Sequence, residues 1–238
     1  MPTQAQANQA IAITYRTEAH VAHSDILPPY PDTSAMEPDD IKEELDHYEG
    51  VKAFALKQAD ELNSKPDTSV FTIYNNLVRN DRGSYRLSDD EFRISDLKEG
   101  KSYIYYTQDG TPKVSSMWLH DEEKKWDVNY EIDTFPEDRK EILGYDCYRM
   151  TISEHRTWVA QGYDERQHYD LYVTPALPLP FRAVGVLWQP ITDLCALEIM
   201  SRNPKHPESY TKVVATGIRT DVSPKVLELP EQYRGLVK

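Results

Sequence analysis

The chain has 238 residues and carries 27 Lys and Arg against 40 Asp and Glu, a net charge of -13. Nucleic acid and anionic membrane surfaces are recognised by clustered basic residues, so this balance argues against either as the main partner and is suited to solubility. No apolar run approaches the length of a transmembrane helix. The 16 Tyr outnumber the five Phe, so most aromatic rings carry a polar tip, as half-wet strand positions require. A β-rich chain of this length is expected to form a single domain, residues 1–238.

The amino end, Met1-Pro2-Thr3-Gln4-Ala5-Gln6-Ala7, has no basic and hydrophobic leader and reads as the start of a trimmed mature chain. Ile11 to about Val21 alternates and is rich in β-branched residues, which predicts a first strand. Pro28, Pro29, Pro31 and Pro38 then break any ladder, giving a proline-rich loop over 22–40. A helix is expected over 40–63, with Asp40 as cap and Glu43 as its capping-box partner. Leu45, Tyr48, Val51, Ala55, Ala59 and Leu62 recur at three- and four-residue spacing and would form its apolar stripe.

From Ser69 the period becomes two. Short strands are expected at Val70–Asn75, Ser84–Leu87, Phe92–Ile94, Tyr103–Thr107, Val114–Leu119 and Trp126–Ile132, with hairpin turns at Asp81-Arg82-Gly83 and Gln108-Asp109-Gly110. Short strands joined by tight turns make an antiparallel meander. Thr157–Ala160 and Tyr169–Thr174 flank a charged turn over 161–168, and Ile191–Met200 and Thr211–Ile218 are the last strands, parted by a loop over 203–209.

The centre of the chain, Lys140-Glu141-Ile142-Leu143-Gly144-Tyr145-Asp146-Cys147, leads into Tyr148-Arg149-Met150-Thr151-Ile152. It reads as two strands meeting at a glycine, with a kinked strand expected there. A charged run followed by Lys-x-Ile-Leu-Gly-Tyr-x-Cys resembles the centre of the GLPGLI family of Bacteroidota envelope proteins. Tyr172-Val173-Thr174-Pro175-Ala176-Leu177-Pro178 matches the strand and proline step that follow in that family, and the tail Leu227–Tyr233 resembles its ending. The naming hexapeptide is absent, with Val184-Gly185-Val186-Leu187 in its region. The broader similarity is to LolA-like envelope proteins. It implies a mainly β, α+β fold, a strongly curved antiparallel sheet or half-barrel with one amphipathic helix on its concave side, and a periplasmic or extracellular location.

No catalytic motif is present. His20 and His23, three apart, fall on opposite faces of a strand and read as solvated, not as a shared metal site. Asp164, Glu165 and His168 could offer ligands to a hard metal but read as a charged hairpin tip. The acidic runs Asp89-Asp90-Glu91 and Asp121-Glu122-Glu123 pair carboxylates, which do hydrolytic work when one is desolvated, but at turns water screens them. Cys147 and Cys195 are the only cysteines, and either one disulfide or two buried free thiols fits them.

The apolar excess at Leu177, Leu179, Phe181, Val184, Val186, Leu187 and Trp188 is too irregular for a helix and too proline-rich for a central strand. It could line a cavity for an oily ligand, or pack as a buried loop. The chain is therefore expected to be a non-enzymatic envelope protein that binds a lipid, acyl chain or other apolar ligand in a concave sheet, without cofactor or metal. The alternatives are a structural or protein-interaction module of the envelope with no small ligand, and a hydrolase using acidic turn residues.

Overall fold

The structure is a computed structural model, and it describes residues 10–34, 36, 38–81, 90–96, 98–118, 127–158, 162–177 and 194–236. Its strands are β1 (Ala10–His20), β2 (Asp67–Tyr74), β3 (Leu77–Asp81), β4 (Phe92–Asp96), β5 (Lys101–Gln108), β6 (Thr111–Trp118), β7 (Asp127–Ile142), β8 (Tyr145–Trp158), β9 (Tyr163–Thr174), β10 (Cys195–Asn203) and β11 (His206–Val222). Two helices, α1 (His23–Ile26) and α2 (Pro38–Ser64), lie between β1 and β2, and two 3-10 turns, Pro224–Leu227 and Glu231–Tyr233, end the described chain.

All eleven strands join one sheet in the order β6-β5-β4-β3-β2-β1-β11-β10-β9-β8-β7, and every pairing is antiparallel. The first strand is thus central, and pairing with β11 welds the two meanders together. At about 4.8 Å per step a flat sheet of this width would hold β6 and β7 roughly 48 Å apart. The chain from Trp118 to Asp127 covers nine peptide steps, at most about 31 Å. The sheet must therefore be bowed, with its two edge strands brought towards each other, while it stays open.

Two-residue turns build the meanders. Asp109 (φ 51°) and Gly110 (φ 71°) close β5–β6, and Leu143 (φ 52°) and Gly144 (φ 83°) close β7–β8. Positive φ at both central positions matches the right-handed twist of the flanking strands. The kink expected at Gly144 is instead a full reversal, with Ile142 facing Tyr145. The actual irregularity falls earlier, between Phe135 and Arg139, where three extra residues of β7 have no partners on β8 and Pro136 is accommodated.

Several boundaries differ from the sequence reading. Asp164, Glu165 and His168 belong to β9, where they face Thr157, Arg156 and Ser153 of β8, and not to a turn. Leu77–Asp81 is a strand that the sequence reading left out, while Ser84–Leu87 lies outside the described residues. The turn between β10 and β11 shrinks to Pro204 and Lys205.

Helix α2 also departs from expectation. Its stripe is Ile41, Leu45, Tyr48, Lys52, Ala55 and Ala59, while Val51 and Leu62 are exposed. No α2 side chain enters the main core. The helix is pinned near its carboxyl end, where the Asn63 side chain accepts from the Val21 amide (2.7 Å) and donates to the Val21 carbonyl (3.0 Å), and His23 meets Asp60 at 3.0 Å. The short helix α1 is tied to β11 by Asp25, which accepts from the Ser209 amide and hydroxyl.

Candidate functional site

Strand alternation sends one set of side chains to the inner face of the bowed sheet. Ile13 and Tyr15 of β1, Phe71 and Ile73 of β2, Met150 and Ile152 of β8, Tyr169, Leu171 and Val173 of β9, Leu197 and Ile199 of β10, and Val213 and Ala215 of β11 form one buried apolar body. Every fully buried member comes from a strand except Leu177, in the bend after β9. Tyr15 is wholly buried, and its hydroxyl donates to the Ala196 carbonyl at 2.8 Å across the sheet. Burial holds its pKa well above the usual tyrosine value.

The inner face changes character along β8 and β9. Register places Ile152 opposite Tyr169, Glu154 opposite Gln167, Arg156 opposite Glu165 and Trp158 opposite Tyr163. An apolar floor thus runs into a polar pit and then an aromatic pair. Glu154 is 2% exposed and ion-paired with Arg156. Burial pushes Tyr169 up to about 12, opposed by the Arg156 charge nearby. On the edge strand, Tyr130 faces Glu154 and Ile132 faces Ile152, and Ile132 is 53% exposed, so the apolar floor reaches solvent there.

Of the residues expected to line an oily pocket, Leu177 is buried in the apolar body, while Leu179, Phe181, Val184, Val186, Leu187 and Trp188 lie outside the described residues. Cys147 and Cys195 are both buried free thiols, so the possible disulfide is not made. The sheet explains why. Cys195 pairs with Thr174 on β9, and the β8–β9 register carries Cys147 towards the same residue from the other side. Two strand spacings, about 10 Å, separate them, beyond the roughly 7 Å that a disulfide spans between Cα atoms. Burial pushes the Cys147 thiol up to about 11 and the Cys195 thiol up to about 12.

The acidic candidates separate. Asp90 and Glu91 line a cavity of about 280 Å³ together with Arg79, Asp81, Phe92, Pro230, Gln232 and Tyr233. Within it Asp81 holds Arg79 at 2.8 Å, and Asp90 accepts from the Tyr233 hydroxyl (2.6 Å) and the Thr107 amide (3.1 Å). Asp90 thus joins β5 to the carboxyl-terminal segment, while Asp81 holds Arg79 within β3. Asp121, Glu122 and Glu123 lie outside the described residues. His20 stacks on Tyr210 (5.1 Å), His155 meets Asp164 (2.9 Å) and His168 meets Ser153 (3.1 Å). Among the described residues no three His, Cys, Asp or Glu gather as a metal site, and no helix is long and apolar enough to cross a membrane.

The sequence reading missed the pit. Its one signal was the alternation Ile152-x-Glu154-x-Arg156-x-Trp158 along β8, whose middle the sequence reading left between two strands. Comparison with known protein families finds none that matches, so the GLPGLI resemblance is one of motif, and no curated protein matches either. Among solved structures, a LolA superfamily protein from Nitrosomonas europaea is similar at 6% identity and a TM-score of 0.34, over 96% of this chain and 90% of that one.

Proposed function

We propose that this protein is a non-enzymatic binder of the cell envelope that takes an apolar ligand, a lipid or acyl chain, against the inner face of its sheet. One observation carries the reading: a continuous apolar body spans seven adjacent strands, from β2 to β7, yet among the described residues no helix or second sheet packs its side chains into it. Domains ordinarily bury such a face beneath a second layer. The face reaches solvent at Ile132, where a chain could enter. Lipid extraction and native mass spectrometry of protein purified from its own host test this. A copurified acyl lipid is expected, along with saturable uptake of a fluorescent fatty acid that Ile132→Glu weakens about tenfold, the cost of putting a charge where a methylene should rest. Protein that arrives without lipid and takes up no fatty acid would remove the proposal.

A protein-interaction role is favoured by a different observation, the exposure of Val51, Phe54 and Leu62 on α2, with Phe54 64% exposed. In the same purification it predicts a copurified protein and no lipid.

A further inference from the structure

We propose that the polar end of the inner face is a binding site for a neutral, hydroxyl-rich ligand of the sugar class. Its hydroxyls would enter the pit at Glu154 and Arg156, and its ring would lie on Trp158 and Tyr163. The inference stands on its own residues and is independent of the apolar-ligand reading.

Three features select this chemistry. The pit is a cavity of about 60 Å³ walled by Glu154, Arg156, Glu165, Arg166, Gln167 and Asn203. That is room for about two water-sized groups, enough for vicinal hydroxyls but not for a whole ring. Second, the pit contains buried polar atoms that call for partners. Glu154 is 2% exposed, and apart from the Arg156 ion pair its two oxygens accept no hydrogen bond among the described residues. Beside the pit, at the next position on the same face, the Tyr169 hydroxyl is 1% exposed and likewise has none among the described residues. Leaving such atoms dry is costly, so the site favours a guest that donates as well as accepts. Third, the pit carries both signs of charge side by side, Glu154 and Glu165 with the Arg156 guanidinium between them. An anion meets the two carboxylates, a cation meets Arg156, and a hydroxyl, both donor and acceptor, meets no like charge.

The aromatic pair supplies the remaining surface. Trp158 and Tyr163 face each other one rung beyond the ion pair, with ring centroids 6.3 Å apart and planes tilted by 33°, and Tyr163 is 51% exposed. A pyranose presents a C–H face on one side and hydroxyls at its rim, so an aromatic surface beside a hydrogen-bonding pit matches both.

Saturation-transfer NMR with maltose, cellobiose and diacetylchitobiose, each at millimolar concentration, tests the site. At least one disaccharide is expected to receive saturation. Tyr163→Ala, at an exposed position, and Asn203→Asp, which keeps the acceptor for the Lys205 amide that closes the β10–β11 turn, should each leave the fold intact by circular dichroism and weaken that disaccharide by about tenfold or more. Uptake of the fluorescent fatty acid should be unchanged in both variants. Absence of transfer to all three sugars, or transfer that persists equally in both folded variants, overturns the inference and leaves the apolar-ligand proposal standing.

Discussion

At the scale of single residues, burial decides reactivity. Both thiols are fully enclosed, and burial opposes the thiolate in each. The thiolate is the reacting species, so the folded protein should be inert to an aromatic disulfide reagent at pH 8 and should release two equivalents once unfolded. Rapid reaction of either thiol in the native state would contradict the placement. A pH dependence follows with a definite sign. With folded-state values of about 11 and about 12 against an ordinary value of 9.0, the unfolded chain loses its thiol protons first. Stability from these groups is intact below pH 9 and should fall as pH rises from there towards 11–12. Changing both cysteines to Ser would flatten that slope in urea titrations at successive pH values, while costing stability outright because each hydroxyl would be buried.

At the scale of the element, turn chemistry is the clearest lever. Leu143 occupies a left-handed conformation in which its Cβ is strained, and it is 47% exposed, so little burial compensates. Asn is the residue such a reversal favours before glycine. Leu143→Asn should therefore raise the unfolding free energy read from urea titration by about 1 kcal/mol, and Gly144→Val should lower it by as much or more. The same hairpin shows what the sequence made legible. Strands with one dry and one wet face, such as β1, β8 beyond Tyr148 and β10, announce themselves by alternation. Where both faces are wet the signal fades: residues 131–141 of β7 are all exposed, as are Tyr163 to Arg166 of β9, so 133–139 went unassigned between two expected strands and the charges of 163–166 read as a turn. Strand β3 hides for another reason. Arg79 and Asp81 pair within it at 2.8 Å, and Arg79 covers the Phe92 ring at 4.2 Å, so an ion pair fills positions where apolar residues were sought. Helix α2 was legible as a helix, but its stripe was misplaced because Lys52 lies on the half-buried side and Val51 does not. The polar pit escaped because Glu154 and Arg156 look like ordinary wet strand residues until the neighbouring strands enclose them.

At the scale of the whole molecule, the described residues of the bowed sheet hold two large buried bodies and a small third one at Ala10, Ala12 and Val222, and Tyr233 of the carboxyl-terminal segment belongs to only one of the large two. The main body spans β2 to β7 through β1 and β11, while Phe92, Ile94 and Tyr105 form a second on β4 and β5, closed by Tyr233. The Tyr233 ring meets Phe92 edge-on at 5.6 Å and Tyr105 at 5.5 Å, and its hydroxyl donates to Asp90. Upstream, the Val226 carbonyl accepts from Arg79 at 2.9 Å. The segment therefore straps the β3–β6 wing without touching the face formed by β8 to β10. Tyr233→Ala should cost about 3–5 kcal/mol where its ring packs, since it removes a buried aromatic and one of the hydrogen bonds to Asp90. If the two bodies are separate cooperative units, hydrogen exchange will show that cost in one place. Amides of β4, β5 and β6 should lose protection while those of β8, β9 and β10 keep theirs. Equal loss across all eleven strands would mean that the sheet opens as a single unit, with the apolar face unable to outlast the wing that Tyr233 closes.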